Sequence, residues 1–324
     1  MELMPTVLVT DSTFERLDIE EAVLGPHGCT VVSRQCKDPA ELAPVVGGAD
    51  FILTQFARVD ARVIAAMDRT RLIVRYGIGV DNVDLDAAKS RGIPVCNVPD
   101  YCIDEVADHT LGLLLAATRQ LLPGSLRIRE GGWGLAAPLD RMRTLRDLTI
   151  GLVGFGRIGR EVAGRLRGFH CRILAHDPVT SDEEVRRWGA EPTGLDDLLA
   201  SSDVVSLHCP STPATRGMIG RAAIERMKPG VVLVNVARGD LVDTAALVDA
   251  LRSGRVSAAA LDVADPEPLP ADSPLRTFEN VLITAHVASA SVKASRRLRE
   301  SAAGAIAAVL RGEPAPNVVN GVVA

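Results

Sequence analysis

Three side chains that could carry out proton and anion chemistry follow predicted strands in the second half of the chain. They are Arg238, Glu267 and His286. Each comes shortly after an apolar run that is typical of a buried strand: Val231–Asn235, Ala258–Leu261 and Val281–Thr284. In an open α/β sheet, ligands bind outside the carboxyl ends of the strands. We therefore expect the three side chains to face one ligand.

This set of residue types suits hydride transfer to a 2-oxo acid. Arginine binds a carboxylate through two parallel hydrogen bonds and can polarise the adjacent ketone. Histidine titrates near neutrality, so His286 could protonate the forming alkoxide. A carboxylate beside it, from Glu267, would orient the ring and favour the imidazolium form. The sequence has no Cys/His spacing suited to zinc, and direct hydride transfer needs no metal, so we expect none.

A glycine-rich loop predicts the hydride donor. The apolar run Thr149–Val153 leads into a G-x-G-x-x-G pattern made by Gly154, Gly156 and Gly159. These glycines would permit a tight turn, a close approach to a pyrophosphate and close helix–strand packing, respectively, with the phosphates at the helix N-terminus. Asp177, after the next apolar run, could accept hydrogen bonds from the ribose hydroxyls and would repel a 2′-phosphate. The pattern therefore predicts NAD rather than NADP.

Alternating strands and helices must position these groups. They predict an α/β protein with two doubly wound parallel sheets. We place a Rossmann nucleotide-binding domain at residues 103–287 and a substrate domain at 1–102 and 288–324. The second domain is discontinuous because we expect the last helix, Ser291–Leu310, to return to the N-terminal unit. A long helix from Ile103 to Leu122 should stop at Pro123-Gly124, and a polar arm containing Trp133 should follow.

Composition narrows the class of protein. The 324 residues carry a formal net charge of −5, which argues against nucleic acid as a partner. No apolar stretch approaches the length of a membrane span, and the N-terminus does not resemble a signal peptide. The six scattered cysteines are typical of reduced thiols. We expect a cytoplasmic protein that binds a small molecule.

Seven segments, taken in order, resemble the D-isomer-specific 2-hydroxyacid dehydrogenases, and within them the 3-phosphoglycerate dehydrogenase and C-terminal-binding-protein-like branch. The segments carrying the resemblance are Tyr76–Asp84, Asn97–Asp100, Glu105–Leu111, Gly154–Gly159, Leu207–Pro210, Asn235–Gly239 and Asp262–Pro268, with His286 after them.

The resemblance implies roles for individual residues. Arg238, Glu267 and His286 would be catalytic, and backbone amides around Ile78 and Gly79 would bind the substrate carboxylate together with Arg238. It also implies a flavodoxin-like substrate domain and a homodimer, with Trp133 a candidate contact. Asp262 would lie close to the nicotinamide, and the full set of implied cofactor contacts is Gly154, Gly156, Arg157, Ile158, Gly159, Asp177, His208, Pro210, Thr215, Val236, Ala237, Asp262 and Thr110.

Two other functions stay open at this stage. One is an NAD(H)-sensing, corepressor-like binding protein, and the other is a phosphite or formate dehydrogenase on the same scaffold. The chain departs from the family pattern around the histidine: Ala285 stands where many relatives have proline, and Ser289 where the corepressor-like branch has an aromatic residue. These departures bear on the substrate more than on the reaction type.

Overall fold

Within residues 4–323, twelve short segments, most of them aliphatic, form parallel strands in two separate sheets. The structure is a computed structural model that describes residues 4–323, the side chain of Asp140 apart. The strands are β1 Thr6–Val9, β2 Thr30–Ser33, β3 Phe51–Thr54, β4 Leu72–Arg75, β5 Val95–Cys96, β6 Thr149–Val153, β7 Arg172–His176, β8 Glu191–Pro192, β9 Val204–Leu207, β10 Val231–Asn235, β11 Val256–Leu261 and β12 Val281–Ile283.

Helices alternate with the strands, as parallel sheets require. Several begin at an aspartate or serine whose side chain accepts a hydrogen bond from a first-turn N–H, as Asp60 does for Arg62 and Val63. The helices are α1 Asp18–Leu24, α2 Pro39–Leu42, α3 Ala61–Ala65, α4 Leu85–Ser90, α5 Ile103–Thr118, α6 Leu121–Arg129, α7 Arg157–Leu166, α8 Asp182–Arg187, α9 Leu195–Ser201, α10 Arg221–Arg226, α11 Thr244–Arg252 and α12 Val292–Leu310. None of them, within residues 4–323, is long and apolar enough to span a bilayer.

The two sheets have the orders of two known doubly wound folds. The five-stranded sheet runs β2-β1-β3-β4-β5, which is the flavodoxin-like order. The seven-stranded sheet runs β12-β11-β10-β9-β6-β7-β8, which is the Rossmann order with one further strand at the β11 edge. Strands β3, β4 and β9 are buried along their whole length, because helices cover both faces. The predicted fold class is confirmed.

The chain divides into two units, Met1–Tyr101 with Ser291–Ala324 and Cys102–Ala290. The breaks lie one residue and three residues from those expected. The first unit contains both chain ends because α12 packs on α1. Its link is a buried ion pair: Arg299 Nη2 lies 2.6 Å from Glu20 Oε2, and the hydroxyl of Tyr76 donates to Glu20 Oε1 at 2.9 Å. Burial, and then the Glu20 charge, raise the pKa of Tyr76 well above its ordinary value.

One predicted helix boundary was wrong. Pro123-Gly124 does not end a helix but lies inside the first turn of α6. The preceding helix, α5, already ends at Thr118, and Gln120 adopts a left-handed conformation with φ 52°. Proline is tolerated at Pro123 because the first turn of a helix does not use its N–H groups.

The buried pair in α12 predicts an unequal cost for two arginines of that helix. Arg299→Met should lower the free energy of unfolding by about 3–5 kcal/mol, because it leaves the fully buried Glu20 without its cation. Arg296→Met removes only an exposed pair with Glu300 and should cost about 0–1 kcal/mol. Urea unfolding followed by circular dichroism measures both values. Equal losses would contradict this assignment.

Candidate active site

Strand register brings the segments that carry Arg238, Glu267 and His286 to the same end of the second unit's sheet. Asn235, at the end of β10, pairs with Leu261, and Leu261 pairs with Ile283. The segments leaving β10 and β11 also pack tightly together. A Cβ at Gly239 would lie 2.0 Å from the carbonyl carbon of Ala264, so only glycine fits there. The residues that follow these three strands are therefore neighbours.

Glu267 and His286 form a hydrogen-bonded pair at this end of the sheet. His286 Nδ1 lies 2.8 Å from Glu267 Oε2, and the side chains are 28% and 36% exposed. The other carboxylate oxygen accepts the N–H of Ala264 at 3.0 Å. Burial would raise the pKa of Glu267, but its hydrogen bond to His286, the charge of that ring, the Ala264 N–H and the charge of Arg238 outweigh burial and lower it. Glu267 is therefore ionised at neutral pH.

Arg238 is held in a turn that its own strand organises. The amide of Asn235 donates to the carbonyl of Arg238 at 2.8 Å and accepts the N–H of Ala237 at 3.0 Å. Arg238 Nη1 donates to the Ala237 carbonyl at 2.8 Å. Gly239, the residue after Arg238, packs against Ala264, whose N–H donates to Glu267, and the turn that holds Arg238 therefore lies beside the Glu267–His286 pair.

Asp262 holds the loop that carries His286. It is 1% exposed, and its carboxylate accepts the hydroxyl of Thr284 at 2.5 Å and the N–H groups of Val287 and Ala288 at 2.9 and 2.8 Å. Its carbonyl accepts the His286 N–H at 2.7 Å. His286 thereby keeps a left-handed backbone with φ 55°, a conformation that costs free energy in a residue other than glycine. The predicted approach of Asp262 to the nicotinamide stays a prediction.

His109, from α5, extends this arrangement. Its Nε2 lies 3.2 Å from the Thr284 hydroxyl and 3.6 Å from the Asp262 carboxylate. Sequence reasoning assigned no catalytic role to His109 or Thr284. The only available signal was a histidine in the helix before the glycine-rich loop, which does not indicate a partner 175 residues away.

The three loop glycines have different surroundings. Gly154 has φ 95°, and a Cβ there would lie 2.5 Å from the backbone nitrogen of Cys209. A Cβ at Gly159 would lie 2.4 Å from the carbonyl oxygen of Gly154. At Gly156, which precedes α7, a Cβ would meet nothing within 4 Å. Two of the glycines thus permit close backbone packing, while the open space at Gly156 fits the approach of a pyrophosphate.

Asp177 ties this loop to the end of the next strand, β7. Its carboxylate accepts the N–H of Phe155 at 2.7 Å and those of Val179 and Thr180 at 2.9 Å each. Burial would raise the pKa of Asp177, but these backbone hydrogen bonds outweigh burial and hold it below its ordinary value. An ionised carboxylate with one lone-pair site left on Oδ2 can accept a ribose hydroxyl and opposes a 2′-phosphate.

Two of the other expected cofactor contacts are occupied within the protein. Thr110 is fully buried and donates to the Val106 carbonyl of its own helix at 2.7 Å. Thr215 donates to the Pro210 carbonyl at 2.6 Å and thereby shapes the loop after β9. These hydroxyls serve local structure, and their contacts with a cofactor stay predictions.

His208 presents a different case. Its Nε2 lies 2.9 Å from the Ser206 hydroxyl, while Nδ1 is buried and has no hydrogen-bond partner among the described residues. Burial lowers the pKa of His208 to about 4, so the ring is neutral.

The remaining predicted residues lie at loop and strand ends. Arg157 and Ile158 open α7, and Val236 and Ala237 follow β10. Ile78 and Gly79 belong to the first unit and follow β4. Within the described residues, no group of three His, Cys, Asp or Glu side chains could hold a metal ion.

Comparison with known proteins places the chain in a family. The sequence profile described as "D-isomer specific 2-hydroxyacid dehydrogenase, NAD binding domain" matches residues 111–288. The chain is 42% identical to D-3-phosphoglycerate dehydrogenase of Mycobacterium tuberculosis over 320 residues, which cover 98% of this chain and 59% of that protein. It is 40% identical to glyoxylate reductase of Thermofilum pendens over 311 residues, covering 90% and 88%.

A solved structure agrees. The D-lactate dehydrogenase from Aquifex aeolicus, complexed with NAD and lactic acid, superposes with a TM-score of 0.87 at 31% identity, covering 95% of this chain and 96% of that one. The chain belongs to the D-isomer-specific 2-hydroxyacid dehydrogenase family. It spans 59% of the length of the mycobacterial phosphoglycerate dehydrogenases it matches.

The loop geometry predicts opposite consequences for two glycines. Gly156→Ala should leave the melting temperature unchanged but raise the Kd for NADH at least about tenfold, because the methyl group fills space that a phosphate needs. Gly159→Ala should cost about 1–3 kcal/mol of stability, because its methyl group overlaps the Gly154 carbonyl. Thermal unfolding and NADH fluorescence titration measure the two effects. A Gly156→Ala protein that binds NADH normally would rule out this phosphate site.

Proposed function

We propose that the chain is an NAD-dependent dehydrogenase that interconverts a D-2-hydroxy acid and its 2-oxo acid. The observation that carries the proposal is the His286–Glu267 pair, 2.8 Å apart, beside Arg238 in the NAD-binding unit. The phosphoglycerate, glyoxylate and lactate enzymes named above share this reaction class, but they differ in the acid they act on.

The residues divide the reaction between them. Bound NADH would supply the hydride that adds to the carbonyl carbon of the 2-oxo acid. Arg238 would bind the carboxylate and polarise the ketone oxygen. His286 would donate the proton that converts the alkoxide to the hydroxyl, from Nε2, since Nδ1 faces the ionised Glu267. Glu267 would hold the ring and stabilise its charged form before the transfer.

The surroundings of Asp177 support NAD over NADP. Its carboxylate stays ionised and would repel a 2′-phosphate. The arginines that follow Asp177 next along the chain, in α8, pair with acidic residues of their own helix: Arg186 with Asp182 at 3.0 Å and Arg187 with Glu184 at 2.9 Å. Both arginines therefore bind carboxylates of their own helix instead of marking a site for a 2′-phosphate.

Exposed apolar side chains in and next to the arm that contains Trp133 support a homodimer, and the free cysteines support a cytoplasmic location. Between residues 121 and 139, Leu121 is 58% exposed, Trp133 87% and Leu139 73%. Apolar groups this exposed and this close in sequence are typical of a protein interface. All six cysteines are free, which suits a reducing compartment.

The histidine predicts a separation of chemistry from cofactor binding. His286→Gln should lower kcat by about two orders of magnitude or more and leave the Kd for NADH unchanged, because the amide cannot transfer a proton. The assay is oxidation of NADH, with NADPH for comparison, across glyoxylate, pyruvate, hydroxypyruvate, phenylpyruvate, 2-oxoglutarate and phosphonopyruvate. The reverse assay includes 3-phosphoglycerate, phosphite and formate.

Three outcomes would count against the proposed function. Turnover of phosphite or formate alone would replace the substrate class. Binding of NADH without turnover of any acid would favour a sensor. Full activity in the His286→Gln protein would remove the proposed acid.

The arm predicts the oligomeric state. The double variant Trp133→Ser, Leu139→Ser should change the mass measured by light scattering from two chains to one, because it removes the most exposed apolar side chains of the arm. The matched control is Val292→Ser, which removes an equally exposed apolar side chain at the start of α12. A wild-type chain that is monomeric at micromolar concentration would refute the dimer.

A further inference from the structure

The loop after β4 is held by its carbonyl groups. The carbonyl of Gly77 accepts the N–H of Val98 at 2.9 Å. The next carbonyl, that of Ile78, accepts the side-chain amide of Asn97 through Nδ2 at 2.6 Å. Only the nitrogen end of that amide can lie so close to a carbonyl oxygen, because two acceptors would repel each other. Two successive carbonyls of the loop therefore face the segment that follows β5.

This fixes the direction of the N–H groups in the same peptides. In a planar trans peptide, the carbonyl and the N–H of the next residue point in opposite directions. The Ile78 N–H therefore points away from Val98, and the Gly79 N–H points away from Asn97. Across residues 4–323 neither is seen to donate a hydrogen bond, and both residues are partly exposed. Successive N–H groups that point the same way form a concave site for an anion.

Asn97 itself sits on a braced backbone. Its N–H donates to the Asn317 carbonyl at 3.4 Å, and the residue before it, Cys96, bridges Val318 in antiparallel fashion. Val95 donates to the side chain of Asn320 at 3.1 Å. The C-terminal segment thus holds the end of β5, and Asn97 can hold the loop in turn.

We propose that Asn97 is a positioning residue for the substrate carboxylate. By donating to the Ile78 carbonyl, it keeps that oxygen away from the anion and aims the Gly79 N–H of the same peptide at it. The hydrogen bond also polarises the peptide, which makes the Gly79 N–H a stronger donor. The inference rests on the proposed function, because the anion is taken to be the carboxylate of a 2-oxo acid.

The test separates carboxylate binding from chemistry and from cofactor binding. Asn97→Ala should raise the KM for the best 2-oxo acid, and the Kd of oxamate for the NADH complex, about five- to tenfold, as expected for one hydrogen bond. The kcat at saturation and the Kd for NADH should stay within about twofold, because they do not depend on this hydrogen bond. Asn97→Asp keeps the size of the side chain but removes the donor and adds a negative charge. It should raise KM further, and it remains available if the alanine variant does not fold.

A matched control comes from the second unit. The amide of Asn280 donates to the Ser257 carbonyl at 2.8 Å, so Asn280→Ala removes the same kind of bond away from the site and should leave KM unchanged. A parental KM in both Asn97 variants overturns the role of Asn97 while the proposed function stands. Parallel losses in NADH binding and kcat would show that Asn97 is merely structural. A wild-type protein that reduces no 2-oxo acid overturns the proposed function instead.

Discussion

The site depends on the hydrogen bonds that the buried carboxylate of Asp262 accepts from the loop after β12. A carboxyl group that is 1% exposed needs hydrogen-bond partners inside the protein, and the loop after β12 supplies two backbone N–H groups and a hydroxyl. The same contacts determine the path of residues 284–288 and so the place of His286. The strained backbone of His286 persists because Asp262 constrains it from both its carboxylate and its carbonyl.

The same device recurs elsewhere in the chain. Asp177 accepts the N–H of Phe155, in the glycine-rich loop, together with two from its own turn. In the first unit, Asp11 is fully buried after β1 and accepts the N–H groups of Gln55, Phe56 and Ala57, which follow β3. In each case an aspartate at a strand end organises a loop at the carboxyl edge of its sheet. These loops are held by hydrogen bonds to a carboxylate as well as by the apolar side chains that they bury, such as Phe155 and Ala57.

Much of the fold could be predicted because its signals are local. Runs such as Val204–Leu207 and Val231–Asn235 are mostly apolar, and their bounds match β9 and β10. The end of a helix was harder to predict where an unusual backbone conformation, and not a residue type, ends it. The residue type of Gln120 does not predict the left-handed conformation that follows the end of α5. The prediction that the helix ends at Pro123-Gly124 was therefore wrong. The tie between Arg299 and Glu20 joins residues 279 apart, and no sequence pattern contains it.

The sequence by itself determined the cofactor class, the family and the residue types for the chemistry, because glycine spacing and strand-end polar groups are properties of short segments. Only the tertiary structure decided how they are used. Strand register placed the segments that carry Arg238, Glu267 and His286 side by side, and hydrogen bonds tie the side chains of Asp262 and Asn97 to loops. The physical reason is that a hydrogen bond between distant residues depends on angles and distances that arise only when strands align, whereas local patterns record which residues are available.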